Sequence, residues 1–159
     1  MKKIITLLLS ILFSLNVFAL NDSEELEFTG ALNDGDLKLV KKYVENKGVN
    51  LEDKYFAWTP LLITAAKDQL PTLKYLTEKG ADVNYVHPVT RWTAFIHAAF
   101  NENKEMLDYL KAHGADINHK LKGDVSLIRA MLDDGKKDMA DYLLSIGVKN
   151  DGCQEKQCF

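Results

Sequence analysis

The sequence predicts an all-α solenoid of about four helix–turn–helix repeats, and three observations carry that prediction. A tyrosine followed by an apolar residue and, five positions after the tyrosine, by glycine occurs at Tyr43, Tyr75, Tyr109 and Tyr142, in steps of 32, 34 and 33 residues. The stretch 59–84 aligns without a gap on 93–118, so that Gly80-Ala81-Asp82-Val83-Asn84 answers to Gly114-Ala115-Asp116-Ile117-Asn118. The 59–84 copy also carries the punctuation of two short helices, a hydroxyl residue starting the first and a glycine stopping the second. Units of this kind bury a continuous core through nearest-neighbour contacts alone, which suits a chain of 159 residues.

Within 59–84 each boundary has a physical reason. The Thr59 hydroxyl can cap the free N–H groups of a first turn, and Pro60 at the first helical position loses no hydrogen bond. Leu61, Leu62, Ala65 and Ala66 then give one apolar face whose alanines allow a neighbouring helix to come close. Pro71 opens a second helix with Leu73 and Leu76 on its apolar side, and Gly80 stops it because glycine takes the left-handed cap conformation without a Cβ penalty. Ala81 to Asn84 is an extended turn to the next copy.

With Thr59-Pro60-Leu61 and two Gly-Ala-Asp-apolar-Asn turns in place, the segment from Asp22 to Asn150 resembles the ankyrin repeat family. The resemblance implies repeats at about 22–53, 58–88, 92–122 and 125–150, joined by short projecting β-hairpin fingers. It also implies a concave surface, made of the fingers and the first helix of each repeat, that grips protein partners. The domain is expected to span 20–150, between a leader (1–19) and a tail (151–159).

The leader reads MKKIITLLLSILFSLNVFA. Two lysines precede an apolar run from Ile4 to Leu15, and Val17 and Ala19 supply small residues at the −3 and −1 positions, so a secretory signal peptide cleaved after Ala19 is expected. Ser10, Ser14 and Asn16 interrupt a run already shorter than the about 20 apolar residues of a bilayer span, which argues against stable membrane insertion after cleavage. The lysine n-region and leucine-rich core look bacterial, giving a periplasmic or secreted location.

The first repeat is expected to be a cap. Asp22 and Glu25 have the spacing of a capping box, and Leu26, Phe28, Ala31 and Leu32 are assigned to the inner face of its first helix. Asn33-Asp34-Gly35 makes the turn. Glu24, Glu25, Lys38, Lys41 and Lys42 leave the outside polar, as a terminal repeat requires.

The fingers implied by the resemblance fall at 54–58 (KYFAW) and 85–92 (YVHPVTRW). They place Tyr55, Phe56, Trp58, Tyr85, His87, Arg91 and Trp92 towards a partner, and aromatic residues and arginine dominate interface hot spots. Trp58 and Trp92 have a second reading, packing the base of each finger. His87-Pro88 is expected at a stiffened tip. On the first-helix face Lys67, Phe100 and Asn101 occupy the family's variable contact positions, and Phe100 stands where the preceding repeat has Ala66.

His97 sits one position later than the family's histidine and is read as a structural, hydrogen-bonding residue. His113 and His119 flank the Gly114 turn, but their spacing matches no zinc motif, so no metal site is assigned. In the fourth repeat Val125-Ser126 stands where Thr-Pro belongs. Leu127, Ile128, Ala130, Met131, Ala140, Leu143 and Leu144 are assigned to its core face. The tail holds the only cysteines, Cys153 and Cys158. Behind a signal peptide this pair reads first as a structural disulfide, worth about 2 kcal/mol on the loop-entropy model. A catalytic dithiol would lack CxxC spacing.

A formal charge of −3, with no basic stripe, argues against nucleic acid as a partner. No nucleophile elbow, phosphate loop or HExxH appears, so neither a cofactor nor an enzymatic activity is expected. The expected function is a monomeric periplasmic protein-binding module that stabilises or protects an envelope protein. Some bacterial periplasmic ankyrin proteins are linked with peroxide protection through a catalase. An immunity protein that blocks a toxin delivered to the periplasm is the alternative; a thiol-redox protein and a host-directed effector rank lower.

Overall fold

Among residues 20–150, which the computed structural model describes, eight helices form four consecutive pairs: α1 (Asp22–Asp34) with α2 (Leu37–Asn46), α3 (Pro60–Ala66) with α4 (Leu70–Glu78), α5 (Ala94–Phe100) with α6 (Lys104–Ala112), and α7 (Leu127–Asp133) with α8 (Lys137–Ser145). The leader and the tail with Cys153 and Cys158 lie outside the described residues. The first helices α1, α3 and α5 pack in a row, and each second helix packs on its own first helix.

Side-chain caps set where the first helices start. Thr59 Oγ1 accepts from the Leu62 N–H and Thr93 Oγ1 from the Ile96 N–H, both at 3.3 Å. Ser126 does the same for Arg129 at 3.2 Å, so the degenerate fourth repeat keeps the cap and loses only the proline. In the first repeat the capping box lies one residue before the expected position. Asn21 Oδ1 accepts from the Glu24 N–H at 3.0 Å, and Glu24 Oε2 accepts from the Asn21 N–H at 3.1 Å. The amide of Asn21 serves as well as the Asp22 carboxylate would. The four periodic glycines, Gly48, Gly80, Gly114 and Gly147, all have φ between +64° and +97°, the conformation their position required.

The core is one cluster running through all four repeats, with Phe28, Leu32, Leu61, Leu73, Leu76, Phe95, Ile96, Leu107, Leu110 and Ile128 among its members. Two assignments to it are corrected. Leu26 is 74% exposed, because α1 turns Phe28, Ala31 and Leu32 inward and a residue two before Phe28 points away from that stripe. Leu144, adjacent to buried Leu143 on the last helix, is also on the exposed side, at 43%.

Polar rungs tie helix to helix outside the core, the Tyr43 one within the first repeat and the others between neighbouring repeats. The recurring tyrosines each reach another helix: Tyr43 donates to Glu27, Tyr75 to Glu45 at 3.1 Å, Tyr109 to the Lys74 carbonyl at 3.3 Å and Tyr142 to Asp108 at 2.5 Å. The turn asparagines do the same. Asn84 Nδ2 donates to the Gly114 carbonyl at 2.9 Å while its Oδ1 accepts from the Asp116 N–H at 2.7 Å, and Asn118 accepts from the Lys149 N–H at 2.8 Å. The repeat period is therefore visible in tyrosine and asparagine because both reach across to a neighbour.

Candidate functional site

The loops between repeats fold into fingers that are turns rather than stranded hairpins. Among the described residues the one β-bridge joins Tyr55 and Trp58, through N–H to O distances of 2.9 and 3.1 Å. The two residues between them, Phe56 and Ala57, have φ of +53° and +70°. That is the φ pattern of a type I′ turn, which ordinarily takes Asn-Gly. The result holds the Phe56 ring wholly in solvent, 99% exposed. The second finger is closed by His87 N–H to Trp92 O and Arg91 N–H to His87 O, both 2.9 Å. Its tip exposes Val89 beside Pro88, a residue the sequence reading passed over.

The fingers brace one another. The Tyr85 hydroxyl donates to the Ala57 carbonyl at 2.7 Å, Lys54 lies over the Tyr85 ring at 5.7 Å, and the His119 ring Nε2 sits 3.0 Å from the Arg91 carbonyl. Beneath them runs a column of rings. Trp58 contacts His87 (centroids 5.1 Å apart) and His97 (5.4 Å); His97 contacts Trp92 (4.8 Å); and Trp92 stacks on Phe100 (4.4 Å).

This geometry sorts the expected contact residues. Phe56, Lys67, Arg91 and Asn101 are exposed, and Tyr55, Trp58, Tyr85, Trp92 and Phe100 are half-buried. His87 is the correction. It is 7% exposed, packed on Trp58, with Nδ1 accepting from the Thr90 N–H at 3.2 Å, so it holds the second finger's turn from inside. Asn101 is also engaged, donating Nδ2 to the Ala65 carbonyl at 3.0 Å and tying the end of α5 to α3. His97 is structural, but not by hydrogen bonding: its Nε2 is buried without a partner, between the two tryptophans. Burial, and secondarily the nearby His87, pulls its pKa down to about 4.

The first finger faces α1 across a groove of about 980 Å³. Asp22, Leu26, Thr29 and Asn33, spaced three or four apart along α1, form one wall with Glu25; Lys54, Tyr55, Phe56 and Trp58 form the other, and Ile63, Ala66 and Lys67 the floor. Burial first, then the nearby Asp53 and Glu25 carboxylates, pushes the Tyr55 hydroxyl up to about 12. Leu26, Asp22 and Glu25 were missing from the predicted contact set. Leu26 falls off the 28, 31, 32 spacing, and that alone marked it as an outward residue.

Among the described residues no group of three His, Cys, Asp or Glu side chains is placed to hold a metal, and no helix is long and apolar enough to cross a membrane.

A family model for ankyrin repeats in three copies matches residues 28–121 and 80–155. No curated protein matches the chain. The ankyrin fold is typically a non-catalytic scaffold whose repeats act in protein–protein interaction, and the helix pairs, left-handed glycines and braced fingers are its elements. The chain belongs to the ankyrin repeat family.

Proposed function

We infer that this protein is exported to the periplasm and binds a protein partner there through its concave finger and helix face, without catalysing a reaction. One observation carries the site assignment: Phe56 stands wholly exposed on a backbone that favours Asn-Gly. Burying such a ring against a partner is worth about 2 kcal/mol, whereas in the free protein it contributes nothing to the core. Exposed Arg91 and half-buried Tyr55 and Tyr85 belong to the two fingers and half-buried Phe100 to the end of α5, and the leader's lysine pair and apolar run support export. The leading role is to stabilise or protect a resident envelope protein, for example under oxidative stress.

A crosslinked pull-down from native periplasm tests this, comparing wild type with a Phe56→Ala, Arg91→Ala variant. One protein held by wild type and released by the variant supports the finger face as the site. If that protein is a resident enzyme the role is protection, and if it is a delivered toxin the role is immunity. Equal capture by both forms would place the interface elsewhere.

A further inference from the structure

The groove between α1 and the first finger specifies more than a contact surface. Its α1 wall runs from Asp22 to Asn33, which at the helical rise is about 17 Å. Its carboxylates and its amines are separated: Asp22 and Glu25 lie at the start of α1, Lys67 lies at the end of α3, and Lys54 on the finger wall is engaged over the Tyr85 ring at 5.7 Å. Among the described residues the side chains of Asp22, Glu25 and Lys67 have no ion-pair or hydrogen-bond partner. Glu24, one position away from Glu25, is by contrast satisfied by Lys47 at 2.8 Å. Between the charged ends lie Leu26, Phe56 and Trp58, with two of them, Leu26 and Phe56, largely or wholly in solvent.

Among the described residues the wall opposite α1 offers a single bridge, whose Tyr55 and Trp58 N–H and C=O groups pair with each other, and then the strained Phe56-Ala57 turn, so it presents no strand on which an added strand could ladder. An occupant must therefore satisfy its own backbone, and a helix does so while presenting side chains every three or four residues. Two consecutive non-glycine residues at positive φ cost stability, and such strain persists where something other than the free fold selects it. Here it aims an aromatic ring at the mouth of the groove.

We propose that this groove receives an amphipathic helix of about three turns from the partner protein, with an apolar stripe seated against Leu26, Phe56 and Trp58 and a lysine or arginine end facing Asp22 and Glu25. The proposal rests on the concave-face reading above and specifies which part of that face is used and by what chemistry. The Phe56-Ala57 turn is kept for this contact at the expense of the free protein's stability.

The test is display selection of a random 12-residue peptide library on the protein spanning residues 20–159, followed by affinity measurement of the enriched peptides on variants. Enriched sequences should carry leucine or aromatic residues at helical spacing with lysine or arginine at one end. Their affinity should fall at least about tenfold with Phe56→Ala and about threefold or more with Asp22→Asn plus Glu25→Gln. A second variant, Phe56→Asn plus Ala57→Gly, separates binding from folding. It should raise the melting temperature by about 3 °C while abolishing peptide binding. Peptides that bind through Arg91 and Phe100 but ignore Phe56→Ala would overturn the groove assignment and leave the concave-face reading standing. Enrichment of acidic peptides, or of none that responds to a finger variant, would overturn the proposal outright. A Phe56→Asn, Ala57→Gly protein that is less stable than wild type would overturn the strain argument.

Discussion

Trp92 stacks on Phe100 with ring centroids 4.4 Å apart and planes 19° from parallel, joining the base of the second finger to the last residue of α5. Lys136 from the fourth repeat lies over the same Phe100 ring at 5.8 Å and donates to the Phe100 carbonyl at 2.6 Å. A residue placed by the sequence on a contact surface is thus also a junction between finger, helix and following repeat. Phe100→Ala is expected to destabilise by about 2 kcal/mol, from lost apolar burial together with the ring pair. Phe56→Ala should change stability by less than about 0.5 kcal/mol. Urea denaturation of both variants checks the contrast, and equal effects would contradict it.

The Lys136 contact has a consequence for the last repeat. Besides the Phe100 carbonyl, its ammonium meets Glu102 at 3.2 Å and Asp134 at 3.7 Å. Lys136→Met should therefore loosen the seam between the third and fourth repeats by about 1 kcal/mol. Hydrogen exchange should then quicken in α7 and α8 before it does in α3, because a repeat array opens from its weakest interface. Uniform acceleration across all eight helices would contradict this.

Removing a helix cap tests the sequence reading at its most legible point. Thr59 and Thr93 are buried and each accepts one first-turn N–H. Thr59→Ala and Thr93→Ala should each cost about 1 kcal/mol, while Thr59→Ser should recover most of the loss because the serine hydroxyl caps equally well.

His97 makes stability depend on pH in a defined window. Its pKa is held at about 4 against an ordinary 6.5, so the folded state favours the neutral ring. The contribution is fully present above about pH 6.5 and is lost as pH falls through about 4, amounting to about 3 kcal/mol. Leucine carries no such charge and leaves no buried Nε2 unpaired. His97→Leu should hold its stability better than wild type between pH 6.5 and 4. Parallel pH profiles for the two proteins would contradict the assignment.

The fold was legible because its determinants are local. A hydroxyl before a short apolar run, and a glycine at a left-handed position, mark helix ends by chemistry that acts within a turn, and Thr59, Thr93, Gly80 and Gly114 sit where that chemistry placed them. The candidate site was legible only in part. Phe56, Arg91 and Tyr85 could be named from residue type and finger position. The inward turn of His87, the solvent exposure of Leu26 and the positive φ of Phe56 depend on how the finger closes and on which face of α1 meets α3. Asn101 shows the same limit: its amide is spent on the Ala65 carbonyl 36 residues earlier in the chain, a pairing set by the stacking of repeats.

The most direct test of the concave-face account is photocrosslinking in living cells with benzoylphenylalanine placed at Phe56, at Arg91 and, as a control on the second-helix side, at Lys42. All three positions are exposed, so the probe perturbs none of the core. The account predicts one partner band from Phe56 and Arg91 and none from Lys42. A band from Lys42 with none from Phe56 or Arg91 would contradict it.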